Sequence, residues 1–261
     1  MRAFHQAKAL LTRYYAHMLE YRAEIVLWML AGVLPFILMG VWEQAADGGA
    51  TSLRRLELTR YFLAVFVVRQ LSVVWVIWEF ERQVVEGRLS PYLLQPLDPV
   101  WRHVAKHVSE RFARAPFFVA LVALFFCLRP ESFWVPSLRS ASLALIATVM
   151  AFALRFVIQY SFAMLTFWTE RASSLTSFWF LFYLFLSGYI APLELYPESV
   201  RAFALWTPFP YLVHFPARLM VGAEVDMLRG FSIMLAWGLV FLLVNRVLWR
   251  AGLRHYSAMG A

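Results

Sequence analysis

The chain has 261 residues, of which 62% are hydrophobic, 18% aromatic and only 15% charged, and its formal net charge is +8. Soluble domains carry about 25% charged residues, so this composition excludes a water-covered globule. It indicates a polytopic membrane protein with room for about six spans.

The basic residues are almost all arginine, with lysine only at Lys8 and Lys106, and Asn245 is the single asparagine. That usage reads as a GC-rich bacterial genome and carries no mechanism. Nucleic-acid binding is the other reading of a basic chain, but here the charge is spread along loop ends, as membrane topology requires. Cys127 is the only cysteine, so no disulfide framework or thiolate metal site forms within the chain. The first apolar run begins near Ile25 and no small-residue cleavage pattern follows it, so no cleavable signal peptide is expected.

Residues 1–22 read as an amphipathic helix lying in the membrane interface. At 100° per residue, Phe4, Ala7, Leu10, Leu11, Tyr14, Tyr15, Met18 and Tyr21 share one face. Arg2, Gln6, Arg13, His17 and Glu20 share the other, while Lys8 and Arg22 can snorkel. A soluble amphipathic helix has no soluble core here to pack against.

Apolar runs follow at about 24–42, 59–79, 113–128, 140–168, 174–190 and 230–249. Each approaches or exceeds the roughly 20 residues needed to cross the hydrocarbon core, the third and fifth being nearest the minimum. Pro35 predicts a kink in the first. The third is read as continuous with a helix beginning near Trp101. Between the fifth and sixth runs, 191–229 is apolar and aromatic but broken by Pro192, Pro197, Pro208, Pro210 and Pro216. No continuous span fits there, and short helical pieces dipping into the outer membrane surface are expected.

Lys and Arg number 14 on the side of the two termini and the 80–112 segment and 8 on the other, leaving Arg69 and Arg155 within spans. The positive-inside rule therefore places both termini and that segment in the cytoplasm, with 191–229 outside. The tryptophans Trp75, Trp78, Trp101, Trp134, Trp168, Trp179, Trp206 and Trp249 sit mostly near span ends, as an interfacial belt does.

The long charged stretch at 81–99 is the most informative polar segment. Glu81 to Leu94 can form a short helix across the mouth of the bundle, and Pro96 and Pro99 turn the chain back toward the third span. On physical grounds the stretch is either a solvated loop or a rigid lever that receives force from a partner. No Gly-x-x-x-x-Gly-Lys-Ser/Thr occurs, so the chain has no P-loop to cradle ATP phosphates.

Arg69 lies nine residues past Arg60, about 13 Å into the membrane, and Arg155 falls near the middle of the fourth run. Intramembrane arginines usually face a cavity or a partner. Arg69 and Arg155, with Gln159, are therefore candidates to line a transport route and attract an anionic or lipid head group. The plainer alternative is that the arginines bond helix carbonyls, Gln70, Gln159 or a companion subunit. His103, His107 and Glu110 can share a helix face with metal-ligand spacing, yet His103-Val104-Ala105-Lys106-His107 lacks the Glu that a zinc peptidase places after its first His.

The run Glu81-Arg82, Glu86-Gly87-Arg88-Leu89, Leu93-Leu94-Gln95-Pro96 and Lys106 resembles the cytoplasmic signature of ABC-2 type transporter permeases. Ser187-Gly188, Pro192, Pro197, Pro208 and Tyr211 resemble the same family's re-entrant segment after span five. Arg88 stands at a position that is commonly acidic, and Ser90-Pro91 interrupts the helix, so the chain most resembles a divergent branch often paired with a second permease.

The resemblance implies an all-α membrane domain over 1–261 with six transmembrane helices. It adds an N-terminal interfacial helix, a cytoplasmic coupling helix over 80–100 and outer re-entrant helices over 191–229. It implies a permease subunit of an ATP-driven exporter, moving a hydrophobic, amphiphilic or anionic substrate such as a drug, lipid, glycolipid or polysaccharide. Glu81, Arg82, Glu86, Gly87, Arg88, Leu89, Leu93, Leu94 and Pro96 would couple it to separate ATPase subunits, which hold the ATP and Mg. A second copy or a different permease would complete the route, in contact with membrane lipid. The competing classes are a membrane-embedded metal-dependent enzyme using His103, His107 and Glu110, and a non-transporting scaffold.

Overall fold

The computed structural model describes residues 2–20, 22–169 and 171–258, with the side chains of 2–6, 22, 25, 31, 257 and 258 left aside. Among the described residues it is helical throughout, with no strand. The elements in chain order are α1 (Arg2–Glu20), α2 (Arg22–Leu30), α3 (Leu34–Asp47), α4 (Arg55–Ser72), α5 (Val76–Val85), α6 (Ser90–Leu93) and α7 (Pro99–Leu128). They continue with α8 (Leu138–Met164), α9 (Ser173–Leu186), α10 (Glu198–Ala204), α11 (His214–Met220) and α12 (Met227–Ala258).

Among the described residues, five stretches are long and apolar enough to cross a membrane: Val26–Asp47, Arg55–Val85, Pro99–Leu128, Leu138–Phe167 and Met227–Tyr256. The first is interrupted by a single 3-10 turn, Ala31–Val33, just before Pro35, where the missing proline donor predicts a disturbance. The third is one helix from Pro99, as its continuity past Trp101 predicts.

Three expectations need correction. The second run is not one helix: α4 stops at Ser72 and α5 starts at Val76, with Val73 extended (φ −62°, ψ 139°). No proline or glycine marks the break. The helix of the fifth run ends before the run does: α9 has 14 residues, about 21 Å against a hydrocarbon core of about 30 Å. The stretch from Glu81 to Leu94 is not one short helix. Glu81 to Val85 finish α5, the chain turns at Gly87 (φ 70°), and only Ser90–Leu93 is helical again. Pro91 opens α6 rather than interrupting a helix, since proline suits a first turn.

Contacts divide the chain into two compact units, Met1–Val33 with Arg88–Phe133, and Leu34–Gly87 with Trp134–Ala261. In the first, α1 packs along α7. Leu10, Leu11, Tyr14 and Met18 are half-buried, the Ser109 hydroxyl donates to the Leu11 carbonyl at 3.0 Å, and Met18 joins a cluster around Met29 and Ala113. The apolar stripe of α1 thus packs on α7, itself a helix long and apolar enough to cross a membrane. Arg2, Phe4, Gln6, Tyr21 and Arg22 of the two-faced pattern lie outside the described side chains.

In the second unit α4 is buried nearly all round, from Leu58 to Val68. Ala144, Ala147 and Ala151 form a small-residue stripe on α8, against which Tyr211, Phe215, Leu219 and Met234 pack. Small side chains let helices approach closely where lipid offers no hydrophobic drive. The 191–229 segment is a string of short pieces, as its prolines predict. Pro192, Pro197 and Pro208 each directly precede a helical turn, where a missing N–H leaves no intrahelical bond unmade.

Candidate functional site

The charged stretch after α5 is built in two parts. In the second unit, Glu81 reaches across to α9: its carboxylate accepts the Ser173 backbone N–H at 2.7 Å and the Ser173 hydroxyl at 3.0 Å. A carboxylate at a helix N-terminus satisfies free donors and complements the dipole. Arg82 is exposed, and its carbonyl accepts the Glu86 N–H at 3.0 Å to close α5. Gly87 takes the left-handed conformation in open space, so it serves the turn rather than a close contact.

In the first unit, Arg88 and Pro96 are exposed, Leu89 is fully buried, and Leu93 is half-buried. Leu94, one residue past α6, is 89% exposed. The piece is braced: the Arg102 guanidinium lies 4.8 Å from the Tyr92 ring centroid and bonds Gln95, and Asp98 caps α7 through the Val100 N–H at 3.0 Å. The result is a short braced turn that presents one leucine to its surroundings.

The deep arginines meet aromatic faces. Arg69 sits 5.3 Å from the Tyr189 ring and Arg155 4.4 Å from the Tyr183 ring, and the two tyrosine rings are 5.9 Å apart. A mid-membrane arginine costs about 2.5–3.5 kcal/mol on insertion scales; a desolvated cation–π contact returns about 2 kcal/mol. Arg155 is buried, yet its Nη2 has no hydrogen-bond partner, and neither has Gln159 Oε1 one turn along α8.

The proline-broken segment after α9 is tied to α4 by groups that sequence reading missed. Gly188 (φ 80°) offers its carbonyl to the Tyr61 hydroxyl at 2.7 Å, and Tyr61 meets His214 Nδ1 at 3.0 Å. On the ring's other side Glu194 lies 3.6 Å from His214 Nε2 and pairs with Arg218 at 3.1 Å. Burial outweighs Glu194 and pushes the His214 imidazole down to about 4, leaving it neutral at pH 7. Tyr211, a predicted member of this segment, bonds the Leu205 carbonyl at 2.9 Å and packs on Phe215. Tyr61 and His214 are 153 residues apart, so no local spacing could have joined them.

His103, His107 and Glu110 do not assemble as metal ligands. His107 Nδ1 lies 2.8 Å from the His103 carbonyl, and Glu110 pairs with Arg114. No group of three or more metal-ligating side chains occurs among the described residues.

Residues 56–260 match the family model described as ABC-2 family transporter protein. No curated protein matches the chain.

Proposed function

With that match covering most of its length, the chain belongs to the ABC-2 transporter family, and we propose that it is the permease subunit of an ATP-driven exporter. It is a multi-pass membrane protein. In this reading it sits in a bacterial inner membrane with six crossings and both termini in the cytoplasm. ATP and Mg belong to separate ATPase subunits, since this sequence has no P-loop. A second copy, or a different permease, completes the route.

The observation that carries the reading is the braced turn at 88–98 with Leu94 at its tip. An exposed apolar side chain on a rigid charged loop suits docking into a groove of a partner. Nucleotide-driven closure of the ATPase pair would push this turn, and α5 would carry the push to α9 through Glu81. Arg69, Arg155 and Gln159 are the residues assigned to the route, with an amphiphilic or anionic substrate moved outward. The test is to recover the tagged chain from its native host in mild detergent and identify its companions. A P-loop ATPase is expected, and its reproducible absence would contradict the reading.

A further inference from the structure

We propose that Arg155, Tyr183 and Ser187 form a buried site for one oxyanion head group, phosphate or carboxylate, on an amphiphile. Arg155 is 7% exposed and Tyr183 4%, and Ser187 is wholly buried. Arg155 Nη2, the Tyr183 hydroxyl and the Ser187 hydroxyl each lack a hydrogen-bond partner. Buried polar groups are nearly always satisfied, so three unsatisfied donors on two packed helices call for an external acceptor.

Arg155 lies 4.4 Å from the Tyr183 ring centroid, and Ser187, the residue that caps α9, donates its N–H to the Tyr183 carbonyl at 3.1 Å. All three groups can donate, and none carries negative charge. A guanidinium fork with neighbouring hydroxyls matches an oxyanion with several acceptor oxygens. Arg155 has no ion pair among the described residues, and Glu194 pairs through Oε1 with Arg218 at 3.1 Å. The Tyr183 ring beside the guanidinium favours a ligand that brings an apolar part with its anion. Gln159 stands one turn further along α8 and marks the other end of the polar strip.

The transport reading supplies the idea that such a ligand passes through; binding itself does not depend on it. The test therefore uses the purified chain without ATPase or nucleotide, in phosphatidylcholine nanodiscs containing a minority of phosphatidylglycerol. Native mass spectrometry counts the lipid retained. Wild type is expected to retain phosphatidylglycerol in preference to phosphatidylcholine. Arg155→Gln should reduce the preference about tenfold, the scale of one charge-assisted hydrogen bond. Tyr183→Phe keeps the ring and removes only the hydroxyl, so it should retain the fold and weaken the preference about threefold.

A parallel arm adds inorganic phosphate. Displacement of the lipid by phosphate supports the shared oxyanion chemistry and points to a soluble ligand; no displacement supports a lipid head group. The proposal is overturned if wild type shows no head-group preference, or if Tyr183→Phe and a folded Arg155→Gln keep it. It is also overturned if Arg155 is found paired with an acidic side chain of a second copy. Loss of the ATPase from the native-host recovery would remove the transport reading and leave this result standing.

Discussion

The Glu81 carboxylate caps the first turn of α9 by accepting both the N–H and the hydroxyl of Ser173. Glu81 lies within α5, and Ser173 begins α9, the helix that carries Tyr183. The two bonds therefore tie α5 directly to α9.

Glu81→Ala should leave the α9 N-terminus uncapped and lower stability by about 1–2 kcal/mol, the range for a lost cap. Ser173→Ala keeps the backbone bond and should lose less than half of that. Thermal unfolding of the purified variants in detergent measures both. If the link transmits force, Glu81→Ala also lowers transport more than it lowers ATP turnover, whereas a purely structural loss would lower both equally.

Gly188 and Gly87 both hold left-handed backbone, but only Gly188 is crowded. A Cβ at 188 would lie 2.5 Å from the Tyr61 hydroxyl and 2.8 Å from His214 Cβ, whereas nothing lies within 4 Å at 87. Gly188→Ala should therefore cost well over about 2 kcal/mol, combining backbone strain with a displaced buried bond. Gly87→Ala should cost only the strain, about 1–2 kcal/mol. Equal losses in unfolding experiments would contradict the Tyr61–Gly188–His214 tie.

Acid should loosen the segment around His214. The buried His214 imidazole titrates near 4, below the value of 6.5 for an ordinary one. Between those values the unfolded chain binds a proton that the folded chain refuses. This contribution is complete above about pH 6.5 and is lost as pH falls toward 4. Glu194, Arg218 and the Tyr61 hydroxyl are the groups facing the ring. Because Glu194 also titrates, the readout is the stability difference between wild type and His214→Asn, which should shrink from pH 7 to pH 5. A difference independent of pH would contradict it.

Most of the helical architecture was legible because apolar length and proline placement act locally. Pro35, Pro192, Pro197 and Pro208 all fall at interruptions or starts of helical pieces. The break at Val73 to Trp75 was not legible, since residues of ordinary helix propensity give no local signal there. Gly87 was quoted as part of a motif, yet its left-handed turn, which splits the predicted 81–94 helix, is a backbone event that composition does not reveal. Arg69 and Arg155 were visible as charges within apolar runs, but the tyrosines beside them lie in other elements of the chain. The same holds for Tyr61 with His214 and for Glu81 with Ser173: long-range pairs need the fold before they can be read.

The central claim is that a separate ATPase grips the turn at Leu94. The most direct measurement is binding of the purified ATPase to the nanodisc-embedded chain, comparing wild type with Leu94→Asp. Leu94 is 89% exposed, so the substitution should spare the fold while placing a charge in the docking groove. The account predicts that affinity falls at least about tenfold with unchanged thermal stability, a loss of about 1.4 kcal/mol or more. Undiminished binding by a folded Leu94→Asp chain would contradict it.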